Sequence, residues 1–282
     1  MNRRIVSVAS LYFIKRAEYP RIWVILISMV IYLDITLGDM PGFLQAFDVR
    51  ISLWGLLTML LSDPQTHCVL LILFSLWICD LPGWDDNEPY VLLRSGRFAW
   101  IMGRALCVLA ISVLYWVAVL CITGVLAQRV ALSNEWGAAL RTLAETSASE
   151  VHRVHISFSS KVMAAYTPVQ GFTISILLNL GFCVACGLIS MVINFMTGRP
   201  VGAILVIAFA LLDRAIGGLM ISEFFYHFSP ASLSSLEVLG KGYVATRPTL
   251  QYAVSFYALG IFIPLIAIAL AGNRLSVKTL ST

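Results

Sequence analysis

Few residues in this chain have the types and spacing that chemistry requires. Asp213 and Arg214 stand side by side within an apolar run from Val201 to Ile221. Ionisable side chains at bilayer depth cost several kcal/mol and turn toward protein interiors or wet cavities. Helix neighbours point about 100° apart, so the two need not neutralise each other. One reading makes them a gate or a contact for a polar substrate group. The other makes them packing partners across helices, with Asp34 or Asn179 opposite. The sequence leaves both open. Cys183 and Cys186 form a C-x-x-C, yet nothing nearby completes the four ligands of a zinc site. The six cysteines fall in or beside apolar segments and read as small packing residues. His152 and His155 are three apart without a third ligand. Gly240-Lys241-Gly242 lacks the strand, turn and helix of a phosphate loop. No G-x-x-x-x-G-K-[ST], H-E-x-x-H or G-x-S-x-G motif occurs, so the sequence assigns no catalytic residue, metal or cofactor to this chain.

A second group of residues is compact and charged. In Asp85-Asp86-Asn87-Glu88-Pro89-Tyr90-Val91-Leu92-Leu93-Arg94-Ser95-Gly96-Arg97, Asp86 or Asn87 suits a helix N-cap, and Glu88 and Pro89 suit its first turn. Arg94 complements the far end of the dipole, and Gly96 suits a left-handed cap. The pattern predicts a helix of about two turns that offers Tyr90, Leu93 and Val91 outward. Such a helix either docks a partner or merely anchors its neighbours at the membrane interface.

The elements that position these residues are membrane spans. The 282 residues are 59% hydrophobic and only 12% charged, against about 25% charged in soluble domains. Mean hydropathy is +0.87. The apolar residues gather into long runs, as bilayer crossings require. The chain reads as an all-α integral membrane protein, one transmembrane domain over 1–282. Its six spans are expected at about 22–37, 67–81, 98–126, 171–196, 201–221 and 252–271. Residues 51–61 are apolar but too few to cross, and read as an interfacial or re-entrant helix leading into the second span. No cleavable signal peptide is expected, because Lys15, Arg16 and Glu18 interrupt the first stretch.

Short loops set the direction. With the N-terminus cytoplasmic, inner segments hold Arg3, Arg4, Lys15, Arg16, Arg21, Arg94, Arg97, Arg104, Arg199, Arg274 and Lys278. The longer outer segments hold fewer, so the positive-inside bias puts both termini in the cytosol. Residues 128–170 and 222–251 become sizeable extracellular loops, and 85–97 a compact inner one. Residues 3–20 carry Ile5, Val8, Ala9, Tyr12 and Phe13 near one face and Arg4, Ser7, Lys15 and Glu18 mostly on another. That pattern suits an amphipathic helix in the inner-leaflet interface, its cations near anionic headgroups, or a frayed tail.

The inner loop Asn87–Arg97, followed by Trp100 and Gly103-Arg104 at the foot of a long third span, resembles the membrane subunits of ABC type-2 permeases. The branch it is most similar to has six spans per chain. Leu132-Ser133-Asn134-Glu135-Trp136-Gly137 and Phe228-Ser229-Pro230 also resemble outer features of that family. The likeness covers nearly the whole chain in layout, through loose motifs. It implies a permease subunit of a bacterial exporter in the plasma membrane, paired with a second permease chain, identical or paralogous. A separate cytosolic ATPase would hold the ATP and magnesium, so this chain would not itself be an enzyme. The partners implied are that ATPase and membrane lipid, not nucleic acid, and the cargo an amphipathic peptide, antibiotic or lipid. Glu88, Tyr90, Leu93 and Arg94 become the contacts that couple to the ATPase. Residues 3–20 correspond to the interfacial connecting helix. Asp80 and Pro82, which interrupt the second span, depart from the family pattern. Two other classes remain: an integral membrane enzyme, weakened by the lack of a convergent Glu/His/Asp set, and an ion-coupled secondary transporter, weakened by the lack of an internal repeat.

Overall fold

A computed structural model describes residues 2–17, 19–79, 81, 88–146, 151–157, 159–218, 222–239 and 246–274. The chain is mostly helical. Three helices are long and apolar enough to cross a membrane: α7 (Arg97–Ala127), α10 (Pro168–Thr197), and the Leu250–Ile268 part of α12 (Leu250–Arg274). Two bent pairs raise the number to as many as five: α2 (Arg21–Leu37) with α3 (Met40–Ala46), at 45°, and α4 (Leu53–Ser62) with α5 (Pro64–Ile78), at 83°. The expected span at 201–221 corresponds to α11 (Gly202–Gly218), a helix of 17 residues; residues 219–221 lie outside the described residues. The apolar stretch 51–61 is a true helix, α4, buried along nearly its whole length. The second run therefore begins at Pro64 rather than His67.

Helix lengths explain the shape. At 1.5 Å per residue, α7 with 31 residues is about 46 Å long and α10 with 30 about 45 Å. The 15 to 17 residues of α2, α5 and α11 make rods of only about 22–25 Å. Asn194 aligns one end of the bundle. Its Nδ2 donates to the carbonyls of Cys79 (3.2 Å) and Leu81, and its Oδ1 accepts from Gly202 N (2.6 Å). The surplus length of α7 and α10 thus projects at the opposite end. We call the aligned end basal and the other the cap end.

At the cap end, short elements fill the space beside the projecting helices. The strands β1 (Ile51–Ser52) and β2 (Val130–Ala131) pair in parallel and join the start of α4 to the end of α7. Trp54 of α4 stacks on Phe172 at 4.9 Å, and Thr58 Oγ1 donates to the Pro168 carbonyl at 3.3 Å. Both contacts hold α4 against the first turns of α10. The helices α8 (Gly137–Glu145) and α9 (Ser160–Ala165) and two 310 turns, Glu223–Phe228 and Ser232–Ser234, complete the cap.

The bend between α4 and α5 follows from Pro64. Proline cannot continue a helix, and it pushes the preceding residue to extended backbone; Asp63 has φ −68° and ψ 118°. Asp63 then caps α5, its Oδ2 accepting from Thr66 N at 2.8 Å. A continuous core runs from Met29 and Leu33 through Phe74 and Tyr115 to Phe182 and Val206. Phe74 and Trp77 meet the Tyr115 ring edge-on, and its hydroxyl donates to the Leu70 carbonyl at 2.6 Å. Burying a tyrosine is tolerated only when its hydroxyl is satisfied in this way.

Candidate functional site

The basal site is built from three helices. The helix α1 (Asn2–Ala17) lies along α7, with Val8 and Ala9 buried. Gly103 admits Val8 and Ile5 where a Cβ would collide with them. One turn before Arg104, Trp100 Nε1 donates to Tyr12 Oη at 3.1 Å. The Arg104 guanidinium sits between these two rings, 4.3 Å from the Tyr12 centroid and 4.4 Å from Trp100, and the residue is 2% exposed. A desolvated cation over an aromatic face gains about 2 kcal/mol. Sequence reasoning placed Arg104 only at the foot of the span and missed its role. The signal was Trp100 and Arg104 at i, i+4 beside the apolar face carrying Tyr12.

The expected inner helix is α6 (Glu88–Ser95). Leu92 anchors it against Trp100 and Ile101. Tyr90 and Leu93 point outward at 68% and 69% exposure, Arg94 is exposed, and Val91 is half-buried. Glu88 opens the helix; its side chain and the expected caps Asp86 and Asn87 lie outside the described residues, as do Asp80 and Pro82. Gly96 ends α6 at φ +82° and ψ 152°, a positive φ but not the left-handed helical cap expected. That geometry turns the chain straight into α7, with Gly96 N bonded to the Leu92 carbonyl and the Gly96 carbonyl to Trp100 N.

The four intramembrane candidates divide in two. Asn179 and Asp213 are buried, while Asp34 and Arg214 are exposed. Asn179 Nδ2 donates to the carbonyls of Ser175 (2.9 Å) and Ser234 (3.2 Å). Its Oδ1 must then accept, and it lies 2.8 Å from His67 Nε2. Ser234 Oγ is 3.0 Å from the same nitrogen and donates to the Ala231 carbonyl. His67 is therefore the Nε2–H tautomer, and its buried Nδ1 has no hydrogen-bond partner. Asp213 accepts from Ser232 Oγ, which lies 2.8 Å from Ser229 Oγ. Of the two readings left open, the interhelical pairing of Asp213 or Arg214 with Asp34 or Asn179 is not seen among the described residues: Asp213 is satisfied by a hydroxyl, and Asn179 by an imidazole and carbonyls.

Sequence reasoning missed Asp63, His67 and the serines at 229, 232, 234 and 235. Asp63 Oδ1 accepts from both Ser157 Oγ and Ser157 N (3.2 Å), and Ser235 Oγ donates to the Ser62 carbonyl at 3.3 Å. The bend at Asp63 is thus where two cap loops attach. Four serines in seven residues were the readable sign that segment 229–235 enters the protein rather than solvent. Ser234 and His67 are within reach for nucleophilic catalysis. The imidazole, however, has no carboxylate on Nδ1, and both residues are fully buried. They act as a structural latch.

In the cap, Arg247 binds Glu223 through Nη2 (2.8 Å) and Nε (3.2 Å). These bonds, with that from Thr246, hold the Glu223 carboxyl below its ordinary range, whereas burial pushes Glu237 up. Asn134, Glu135 and Trp136 line an open groove of about 990 Å³ with Arg141, Glu145 and Gln170. His152 packs on Phe43, and His155 is exposed; the described residues contain no group of three metal ligands. Four cysteines are buried, and none is in a disulfide. No family model, curated protein or solved structure matches this chain.

Proposed function

We propose that this chain is the membrane-spanning permease subunit of an ATP-binding cassette exporter, crossing the bilayer six times with its basal end in the cytosol. The observation that carries this reading is α6. A short helix joining two apolar rods has its Leu92 face buried, yet holds Tyr90 and Leu93 out with Arg94 beside them. Exposed apolar side chains on a braced helix suit a groove on a partner. Charge supports the orientation: the segments assigned inside up to Arg199 hold Arg3, Arg4, Lys15, Arg16, Arg21, Arg94, Arg97, Arg104 and Arg199 against Glu18, Asp80, Asp85, Asp86 and Glu88, the bias that short inner loops carry. The cargo would be an amphipathic peptide, antibiotic or lipid, and the ATP and magnesium would be bound by the partner. Affinity purification from native membranes tests this. A nucleotide-binding chain should co-purify with ATPase activity, and Glu88→Ala with Leu93→Ala should uncouple that activity from transport. Absence of both partner and ATPase activity would sink the reading.

One observation favours a second reading, ion-coupled secondary transport: the 83° break has Asp63, His67 and Asp213 near it, and broken helices carry ion sites in such proteins. Purified chain in proteoliposomes, driven by an ion gradient without ATPase, would then move substrate.

A further inference from the structure

The chain segments that close the cap end set two arginines side by side. Arg50 directly precedes β1, and Arg129 lies just past the end of α7 and directly precedes β2. Ile51 N donates to the Arg129 carbonyl at 3.1 Å, and the next residues pair in parallel, Ile51 with Val130 and Ser52 with Ala131. Residues in register on paired strands put their side chains on the same face. Taken back one residue, that register brings Arg50 alongside Arg129. Both line one cavity of about 470 Å³ with Asp48, Gln128 and Val130.

Like charges set opposite one another destabilise a strand pair, and this pair is only half neutralised. Asp48 Oδ1 accepts from Arg129 Nη1 at 2.6 Å. Arg50 makes no ion pair or hydrogen bond among the described residues, and neither does the Gln128 side chain. The lining therefore offers two cations against one carboxylate, with guanidinium and carboxamide N–H donors to spare. Asp48 and Gln128 are also held at positive φ, 46° and 55°, which a residue with a Cβ adopts only at a cost. The surface beside the cavity is apolar: Phe47, Val125 and Leu132, each within three residues of the lining, are all exposed. Helix length puts this surface at a headgroup layer. The α7 rod is about 46 Å long, against roughly 30 Å of hydrocarbon and roughly 40–45 Å with headgroups. A rod that starts at the basal interface thus ends where lipid phosphates lie.

We infer that the cavity holds the phosphodiester of a phospholipid, its oxygens on Arg50, Arg129 and Gln128 and its acyl chains over Phe47, Val125 and Leu132. Guanidinium groups take phosphate oxygens through charge-assisted, often bidentate bonds. One surplus positive charge matches the single negative charge of a phosphodiester better than the near-dianion of a terminal phosphate. Asp48 repels the phosphate, but its bond to Arg129 fixes where that guanidinium points. In the orientation proposed above, the lipid belongs to the outer leaflet. The inference rests on that bilayer placement, and not on the identity of the motor.

Thermal unfolding of the whole chain in a maltoside detergent, with one additive at a time, tests it. Dioctanoyl phosphatidylglycerol should raise the melting temperature saturably. Dioctanoylglycerol has the chains without the phosphate, and inorganic phosphate has the anion without the chains; at equal concentration neither should raise it. Arg50→Gln should shift the phosphatidylglycerol midpoint roughly tenfold or more upward, and Leu132→Ser by a smaller factor. Both residues are exposed, so each variant should melt as the wild type does without lipid. Arg141→Gln, which removes an exposed cation elsewhere on the cap, should leave the response unchanged. The inference is overturned by an equal response to dioctanoylglycerol, which needs no phosphate site, or to inorganic phosphate, which makes this a free-anion site. It is also overturned if Arg50→Gln responds as the wild type does, or if Arg141→Gln loses the response to the same degree. Should Arg50→Gln unfold early by itself, Leu132→Ser and the three additives carry the decision. The assay needs neither ATPase nor transport, and recovery of the chain in washed membranes checks the placement separately.

Discussion

The two ends of this bundle solve the burial of polar groups in different ways. At the basal end, one guanidinium is held between two aromatic faces, and α1 is fixed to α7 by that stack and by apolar contact. At the cap end, no cation among the described residues has that place. Serine hydroxyls and backbone amides satisfy Asp63, a serine hydroxyl satisfies Asp213, an imidazole and two carbonyls satisfy Asn179, and these hydrogen bonds stitch two loops to a broken helix. Stacking is tolerant of small rotations, whereas a hydrogen bond weakens steeply when misaligned. The basal end is thus built to keep a surface presented, and the cap end to hold one geometry.

Substitutions at each end sharpen that contrast. The largest effect is expected for Trp100→Ala, which removes one wall of the Arg104 cage, part of the α6 anchor and the bond to Tyr12. A loss of about 3–5 kcal/mol, read as a fall in the melting temperature of the detergent-solubilised chain, is expected. Arg104→Lys should recover little of the stacking. Asp63→Ala comes next, because three donors lose their acceptor. It should cost about 2–4 kcal/mol and make the 151–157 segment cleavable by protease before the bundle melts. A smaller loss, about 1–2 kcal/mol, is expected for Asn179→Ala by the same melting assay.

Tyr90→Ala with Leu93→Ala should change stability by less than about 0.5 kcal/mol, since both side chains are exposed. If the proposed function holds, the same pair should abolish co-purification of the ATPase. A large drop in melting temperature would show instead that these side chains brace the fold.

The weakest expected effect is the acid response of the cap. Glu223 has a lowered pKa, so its bond to Arg247 stabilises above the ordinary carboxylate range and is lost as pH falls through the lowered value. Glu237 has the opposite sign: burial raises its pKa, so its charged form is a penalty at neutral pH that protonation relieves. Melting curves from pH 7 downward should therefore show Glu223→Gln destabilising at neutral pH and silent in acid. Glu237→Gln should stabilise at neutral pH and lose that gain in acid.

The helical runs and the inner helix were legible because apolar periodicity and punctuation by Pro89 and Gly96 are local signals. Asn179 and Asp213 stood out as polar residues in apolar runs. Their partners did not, because His67 and Ser234 are 167 positions apart and only the returning loop brings them together. The opposite settings of Asp213 and Arg214 were half readable: helical geometry separates neighbours by about 100°, but not which of them faces the interior. That α4 is a helix too short to cross on its own was legible; its burial was not. Ten residues cannot cross a bilayer, and only the surplus of α7 and α10 beyond their neighbours creates a buried place for it.

The joint at Gly96 has a mechanical consequence. One residue separates α6 from α7, with bonded contacts on both sides of it, so a push on Tyr90 and Leu93 reaches α7 with little slack. The rod beyond is about 46 Å long, and its far end is tied through β2 to β1 and the start of α4. A tilt of about 5° at the base would swing that far end by about 4 Å, simple geometry on the helical rise. That is enough to part the β1–β2 pair, and α7 would act as a lever between the two ends of the molecule.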